Sequence, residues 1–262
     1  MNAPLPIVCL ATGDLYGQAD LYVSRLFAML SRHCGRPFRL YCYTDRRRQQ
    51  VPSAIIQRDC AGWTELDRAG MRATTRKLGF FNPAYAEFDE FLYLDLTLVV
   101  RKPMDELLEF GLRSDKELVI LKDWSHGYNS SVMRIRRGRL RAIYDAFVAG
   151  ATFPQKNPGD QDFIHGFVAR SHWEKHVDLF PAHLVCSFKK TRQLARSDPA
   201  AARQAVRDAT IVKFHGSPKM HDALGWRYRV RERMKELAKG RLETVMALGA
   251  LKREWVAELP RA

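Results

Sequence analysis

The sequence predicts an α/β fold in which strands and helices alternate through about residue 220, followed by a basic helical tail. Three features predict it. The chain opens with a strand, helix, strand pattern. A nearly continuous apolar, β-prone run occupies Phe91 to Val100. Apolar residues then recur at helical spacing among many arginines near the end. With 262 residues, 46% of them hydrophobic, the chain can bury one sizeable core, and its length permits one large domain or two small ones.

Each element has its own local signal. Ile7 to Ala11 is a short apolar run, and a polar turn with Gly13 and Gly17 follows it. Val23, Leu26, Phe27 and Leu30 recur at i, i+3, i+4 and i+7, the stripe of a helix packed on a core. Phe38, Leu40, Cys42 and Thr44 alternate with Arg39, Tyr41 and Tyr43, as in a strand. Two strands joined through a helix form a parallel crossover unit. The Phe91 to Val100 run (FLYLDLTLVV) reads as a strand covered on both faces, with Asp95 where its character changes, at a strand end. Pro103 precedes a short helix at 104–109. Leu118 to Leu121 reads as a strand, Gly138 to Ala149 and Asp160 to Ala169 as helices, and Leu184 to Phe188 and Ile211 to His215 as short strands. Trp226, Val230, Met234 and Leu237, then Val245, Leu248, Leu251 and Trp255 after Gly240, predict two amphipathic helices. The expected division is residues 1–221 as one domain and 222–262 as the basic tail.

Several function classes are disfavoured. The five cysteines are irregularly spaced with no CxxC, which argues against a disulfide framework or a zinc knuckle; Cys9 and Cys42 read as small buried residues. The first residues carry no secretory-signal pattern, and no apolar run has the length of a membrane span, so a cytoplasmic protein is expected. GxGxxG and GxxxxGK[ST] are both missing, which argues against a dinucleotide fingerprint and a P-loop. The net charge of +14 favours an acidic partner. It is spread over Arg46 to Arg48, Arg134 to Arg141, Lys189 to Arg196 and Arg227 to Arg241, and solvated faces account for most of it. Without a recognisable nucleic-acid module, a nucleic-acid partner is not expected. The tail has two readings: packed on the rest of the chain, which is favoured, or lying peripherally on the inner face of a membrane.

Four polar punctuations fall at strand and loop boundaries: Asp95-Leu96-Thr97, Asn129-Ser130-Ser131, Asp160-Gln161-Asp162, and His215-Gly216-Ser217-Pro218-Lys219. Each alone is weak; their order and spacing are more specific. On them the chain resembles bacterial GT-A type glycosyltransferases, near the family-8-like enzymes that transfer hexoses from UDP-sugars. The resemblance covers roughly residues 5–221. Thr12-Gly13-Asp14-Leu15-Tyr16-Gly17 looks like that family's first nucleotide-contacting loop, and Arg76-Lys77-Leu78 like its lysine-bearing helix. Phe91 to Asp95 looks like the strand ending in its DxD motif. Tyr128 to Met133 resembles its FNSGV-like segment, Gly159 to Asp162 its DQD segment, and Val212 to Lys219 its closing HxxGxxK motif.

The resemblance implies a GT-A-like, Rossmann-related fold: a central mixed, mostly parallel sheet flanked by helices. It implies transfer of a hexose from a UDP-sugar donor, with retention, to a glycan or lipid-linked acceptor, in polysaccharide biosynthesis. It further implies Mn²⁺ or Mg²⁺ held by Asp95, Thr97 and His215. Thr12, Gly13, Asp14, Tyr16, Lys77, Asp95, Asn129, Ser130, Gly216 and Lys219 are implied donor contacts, and Asp160, Gln161 and Asp162 the catalytic segment. The chemistry is coherent: hard oxygen ligands and an imidazole can hold a cation against a departing diphosphate, and a carboxylate can stabilise positive charge on the sugar. One departure stands out. The family pattern has an acid where this chain has Thr97, and a hydroxyl is a weaker ligand. Loose metal binding, basic residues in the metal's place, and binding without turnover all stay open. So do plainer roles: Asp160 as a helix N-cap, Lys77 on an exposed helix face, and His215 as a satisfied strand-end histidine.

Overall fold

The computed structural model describes residues 3–15, 17–156, 158–224 and 251–256. Tyr16 and most of the predicted tail, including Trp226, Val230, Met234, Leu237, Val245 and Leu248, lie outside the described residues.

In chain order the strands are β1 Leu5–Ala11, β2 Phe38–Thr44, β3 Ile56–Asp59, β4 Glu90–Leu94, β5 Leu98–Val100, β6 Leu118–Lys122, β7 Tyr128–Arg136, β8 Val177–Leu179, β9 Val185–Ser187 and β10 Ile211–Lys213. The α-helices are α1 Ala19–His33, α2 Asp105–Arg113, α3 Arg141–Val148, α4 Asp160–Ser171, α5 Phe188–Leu194, α6 Pro199–Asp208 and α7 Met220–Leu224. The chain divides into two compact units, each built from separated stretches. The first comprises Met1–Val23, Arg36–Leu96 and Leu108–Phe180. The second comprises Ser24–Gly35, Thr97–Leu107 and Pro181–Ala262.

The first unit holds a seven-stranded sheet in the order β3-β2-β1-β4-β7-β6-β8. β1 pairs in parallel with β2 and β4, β2 with β3, and β6 with β8, while β7 runs antiparallel to β4 and β6. This is the expected mixed, mostly parallel sheet. Ile7, Val8 and Cys9 are fully buried, as a central strand between covered faces requires. One face packs an aromatic core in which Trp63, Phe80, Phe91, Tyr93, Phe147 and Phe163 are all buried. The second unit holds a three-stranded sheet in the order β5-β10-β9.

The apolar run from Phe91 to Val100 is therefore two strands, β4 and β5, in different sheets. Asp95 N–H donates to Ser131 C=O at 2.9 Å, which ends the β4 ladder, and Leu98 to Val100 then pair antiparallel with β10. Hydrophobic periodicity misses this break because Leu96, Leu98, Val99 and Val100 are all buried on their new partners.

Two arginines expected on solvated faces are inside. Arg134, on β7, is 1% exposed. Its guanidinium donates to the carbonyls of Gly111 at 2.7 Å, Lys116 at 2.6 Å and Ser114 at 3.0 Å, satisfying the α2 C-terminus and the loop after it. Burial pushes its pKa down to about 10. Arg48 is the other, and it belongs to the loop described next. At the chain's far end, residues 251–256 are helical, with Leu251 and Trp255 buried. Glu254 Oε2 meets His33 Nε2 at 2.9 Å, and Arg25 donates to Val256 C=O at 2.7 Å. This short piece of the tail is packed rather than free. Among the described residues no helix is long and apolar enough to cross a membrane.

Candidate functional site

The C-terminal ends of β1, β2 and β4 lie side by side in the first unit, and several of the predicted residues lie at these ends or in the loops that follow them. After β1, the Thr12 to Gly17 loop turns through positive φ at Gly13 (+65°) and Gly17 (+75°), which glycine adopts without strain. Gly13 N–H donates to Asp45 Oδ2 at 2.7 Å. The buried Arg48 guanidinium donates to the carbonyls of Ala11 at 2.6 Å and Gly13 at 2.8 Å, and to Asp45 Oδ1 at 3.1 Å. Asp14 meets Arg46 at 3.3 Å on the surface. A folded-in arginine thus holds the loop from beneath and leaves Gly13 exposed. Sequence reading missed Arg48; three consecutive arginines read as a charged face, and nothing local separates one from its neighbours.

The second part of the site is an ionic cluster. Lys77 lies on a 3₁₀ helix, Ala73–Phe81, rather than an α-helix. It is 5% exposed, which overturns its reading as a surface lysine. Its Nζ stands 2.8 Å from Asp95 Oδ1, 3.5 Å from Asp160 Oδ2 and 3.1 Å from Ser130 Oγ. Ser130 Oγ donates to Asp160 Oδ2 in a short bond, and Tyr93 OH donates to Asp95 Oδ1 at 2.9 Å. Burial alone would lower the Lys77 pKa, but the Asp160 and Asp95 charges outweigh it and raise the ammonium above its ordinary value. Tyr93 is pushed well up by burial and by Asp95, so it stays a phenol and a donor. Asp95, Asp160, Lys77 and Ser130, separated in sequence, are thereby brought into one network, buried except for the part-exposed Asp95 at its edge.

Asp160 does not cap α4. It is the first helical residue, Gly159 is the N-cap, and no side chain bonds there. Asp160 and Asp162 in the first turn suit the positive end of the helix dipole. Asp162 accepts from Lys156 N–H at 2.7 Å, fixing the approach to the helix. Gln161, between them, is part-exposed. Asn129 is buried and works inside the chain: its amide donates to Asp123 Oδ2 at 3.1 Å, and its oxygen accepts from Ser131 N–H at 3.1 Å. It shapes the turn between β6 and β7.

The remaining predicted residues sit in the second unit. Thr97 and Lys213 are brought together by the β5–β10 pairing: Leu98 opposes Lys213, and Phe214 N–H donates to Thr97 C=O at 2.9 Å. Lys213 Nζ donates to Thr97 Oγ1 at 2.7 Å. His215 Nε2 bonds Ser187 Oγ at 2.6 Å. Gly216 turns at φ +70°, and Lys219 is part-exposed at the start of α7.

Each of the expected metal ligands, Asp95, Thr97 and His215, is already engaged by another side chain, and a metal would have to compete with those partners. Asp95 Oδ1 is held by Lys77 and Tyr93, the His215 Nε2 by Ser187, and Thr97 Oγ1 faces an ammonium. A cation placed on the Thr97 oxygen would be repelled by Lys213. In an HxxGxxK pattern anchored on Gly216 and Lys219, the His position falls on Lys213, not His215.

Comparison with known proteins shows the fold. No family model matches the sequence, and no curated protein matches it. Among solved structures, the galactosyltransferase LgtC, determined in complex with donor and acceptor sugar analogs, is 18% identical with a TM-score of 0.57, over 90% of this chain and 96% of that one. The glycosyltransferase GlyE of Streptococcus pneumoniae TIGR4 is 15% identical with a TM-score of 0.60, over 97% of this chain but 63% of that one. Mouse xyloside xylosyltransferase 1 is 15% identical with a TM-score of 0.54, over 83% of this chain and 99% of that one. The chain shares the GT-A type fold of these structures.

Proposed function

We propose that the chain is a glycosyltransferase that moves a hexose from a nucleotide diphosphate sugar, UDP-linked, to a glycan or lipid-linked acceptor with retention. One observation carries it: the Lys77, Asp95, Asp160 and Ser130 network closes the C-terminal end of β4, and β1, its neighbour in the sheet, leads at the same end into the Gly13 loop, the strand ends where open α/β sheets bind ligands. The fold shared with glycosyltransferases supports the same reading.

In this reaction the bond from sugar C1 to the β-phosphate oxygen breaks, leaving the nucleoside diphosphate. The acceptor hydroxyl oxygen bonds C1, and its proton passes to the departing diphosphate. Positive charge grows on the sugar ring as the bond stretches. The Asp160 carboxylate, fixed by Ser130 and Lys77, opposes that charge without having to reorganise. Lys77 neutralises two neighbouring carboxylates that would otherwise repel each other, so it is a positioning residue rather than a direct diphosphate contact. Thr12, Gly13 and Asp14 line the nucleotide side, and Gln161 and Asp162 the sugar. Gly216 and Lys219 keep a proposed role toward phosphate.

A thermal-shift screen over nucleotide sugars tests this reading, because a ligand that binds only the folded state raises its stability by mass action. UDP-sugars should raise the melting temperature of the wild type, and Asp95→Ala should abolish UDP-sugar turnover. Unchanged turnover in that variant would remove Asp95 from the site. Thr97, a hydroxyl in place of an acid, favours a second reading: a relative that binds donor without turnover. Tight UDP binding with no sugar released from any donor would select it.

A further inference from the structure

We propose that a groove at the ends of β2 and β3 binds a phosphate group of a second ligand, separate from the nucleotide sugar. The groove belongs wholly to the first unit and calls on none of the proposed donor contacts.

Parallel pairing sets Thr44 opposite Asp59, so the two strands end level. With the chain that connects them, these ends line an open groove of about 860 Å³. That is the size of a small-molecule site, and it lies outside the carboxyl ends of parallel strands, where open α/β sheets take ligands. Four arginines line it, Arg46, Arg47, Arg48 and Arg58, against two acids, Asp45 and Asp59. The acids are engaged within the chain. Asp45 accepts from Gly13 N–H and from Arg48, and Asp59 Oδ1 accepts from Ala61 N–H at 2.9 Å. Arg48 is engaged too, beneath the Gly13 loop.

The other three arginines are differently placed. Arg46 meets Asp14 at 3.3 Å, and Arg58 meets Glu87 at 2.8 Å while lying over the Tyr41 ring, both at the surface. Exposed ion pairs of this kind contribute little, so a multiply charged anion can compete for both arginines. Arg47 is exposed, and its guanidinium has no partner among the described residues. A guanidinium presents a planar fork of donors that matches two phosphate oxygens at once. Three such forks around one groove suit a tetrahedral anion with oxygens on several sides better than a planar, singly charged carboxylate.

Titration calorimetry of the full chain with inorganic pyrophosphate, in the presence of excess UDP, tests the proposal. Wild type should bind pyrophosphate. Arg47→Glu should weaken binding on the order of tenfold or more, the usual loss for a charge-assisted hydrogen bond. Arg139→Glu makes the same change of charge at an exposed arginine outside the groove and should leave binding unchanged. No binding by wild type, equal binding by Arg47→Glu, equal weakening by Arg139→Glu, or displacement of pyrophosphate by UDP would overturn the proposal. Failure of UDP itself to bind would count against the proposed function alone and leave the comparison of variants standing. Co-sedimentation with vesicles of phosphatidylcholine and phosphatidylglycerol separates the sources of the phosphate. Capture that Arg47→Glu weakens assigns the groove to a lipid headgroup, and pyrophosphate binding without such capture assigns it to a soluble phosphorylated ligand.

Discussion

At the scale of single residues, Lys77 carries the most weight. A buried ion network is fragile to removal of one member, because the partners are left charged and unpaired. Lys77→Met should therefore destabilise the protein by about 3–5 kcal/mol in urea denaturation. The sign with pH follows from the direction of the shift. The ammonium is raised by Asp160 and Asp95 against the opposing effect of burial, so its contribution is complete below the unfolded pKa and is lost as pH rises through the folded one. The difference in stability between wild type and Lys77→Met should stay level from about pH 6 to 9 and shrink only above about pH 10.4. A difference that falls between pH 6 and 9 would contradict the network as drawn. The grouping of these residues was partly legible beforehand. Asp95, Ser130, Asp160 and Lys77 were each singled out on motif order, and the structure joins them. The resembled closing motif, anchored on Gly216 and Lys219, puts its histidine position on Lys213, two residues before His215. Arg48 and Tyr93 gave no local signal, because their places are set by burial in the folded chain rather than by any sequence pattern.

At the scale of elements, the 3₁₀ helix that carries Lys77 is seated by close packing. A Cβ built on Gly79 would lie 2.7 Å from Trp63 Cε3, 2.8 Å from Cζ3 and 3.0 Å from Leu66 Cδ1. The position needs glycine for room, not for an unusual backbone angle. Gly79→Ala should cost about 1–3 kcal/mol by overpacking and should lower donor affinity through displacement of Lys77 two residues earlier. Equal stability and affinity in the variant would show the helix to be more loosely held than its contacts indicate. The strong periodic elements were legible: β1, α1, β2, β6 and α4 lie within a few residues of where their patterns place them. The β4–β5 break was not, because the residues on both sides of Asp95 are apolar and only tertiary pairing separates them. β3, with its sequence Ile-Gln-Arg-Asp, has no apolar alternation to reveal it; its order comes from pairing with β2.

At the scale of the whole molecule, the +14 charge suits the polyanionic donor proposed above, though it says nothing of fold. The class of fold was legible from alternation, and the GT-A type from motif order; the interleaved units were not, since chain segments far apart in sequence build each one. The central claim is that the Asp160 network promotes cleavage of a sugar–phosphate bond. Proton NMR of a UDP-hexose incubated with acceptor follows both the loss of donor and the anomeric configuration of the product, in wild type and in Asp160→Asn. Wild type should form an α-linked product from an α-linked donor, and Asp160→Asn should slow it on the order of a hundredfold while keeping its fold. Product formed at the same rate by the variant, or no cleavage of any nucleotide sugar by the wild type, would contradict the account.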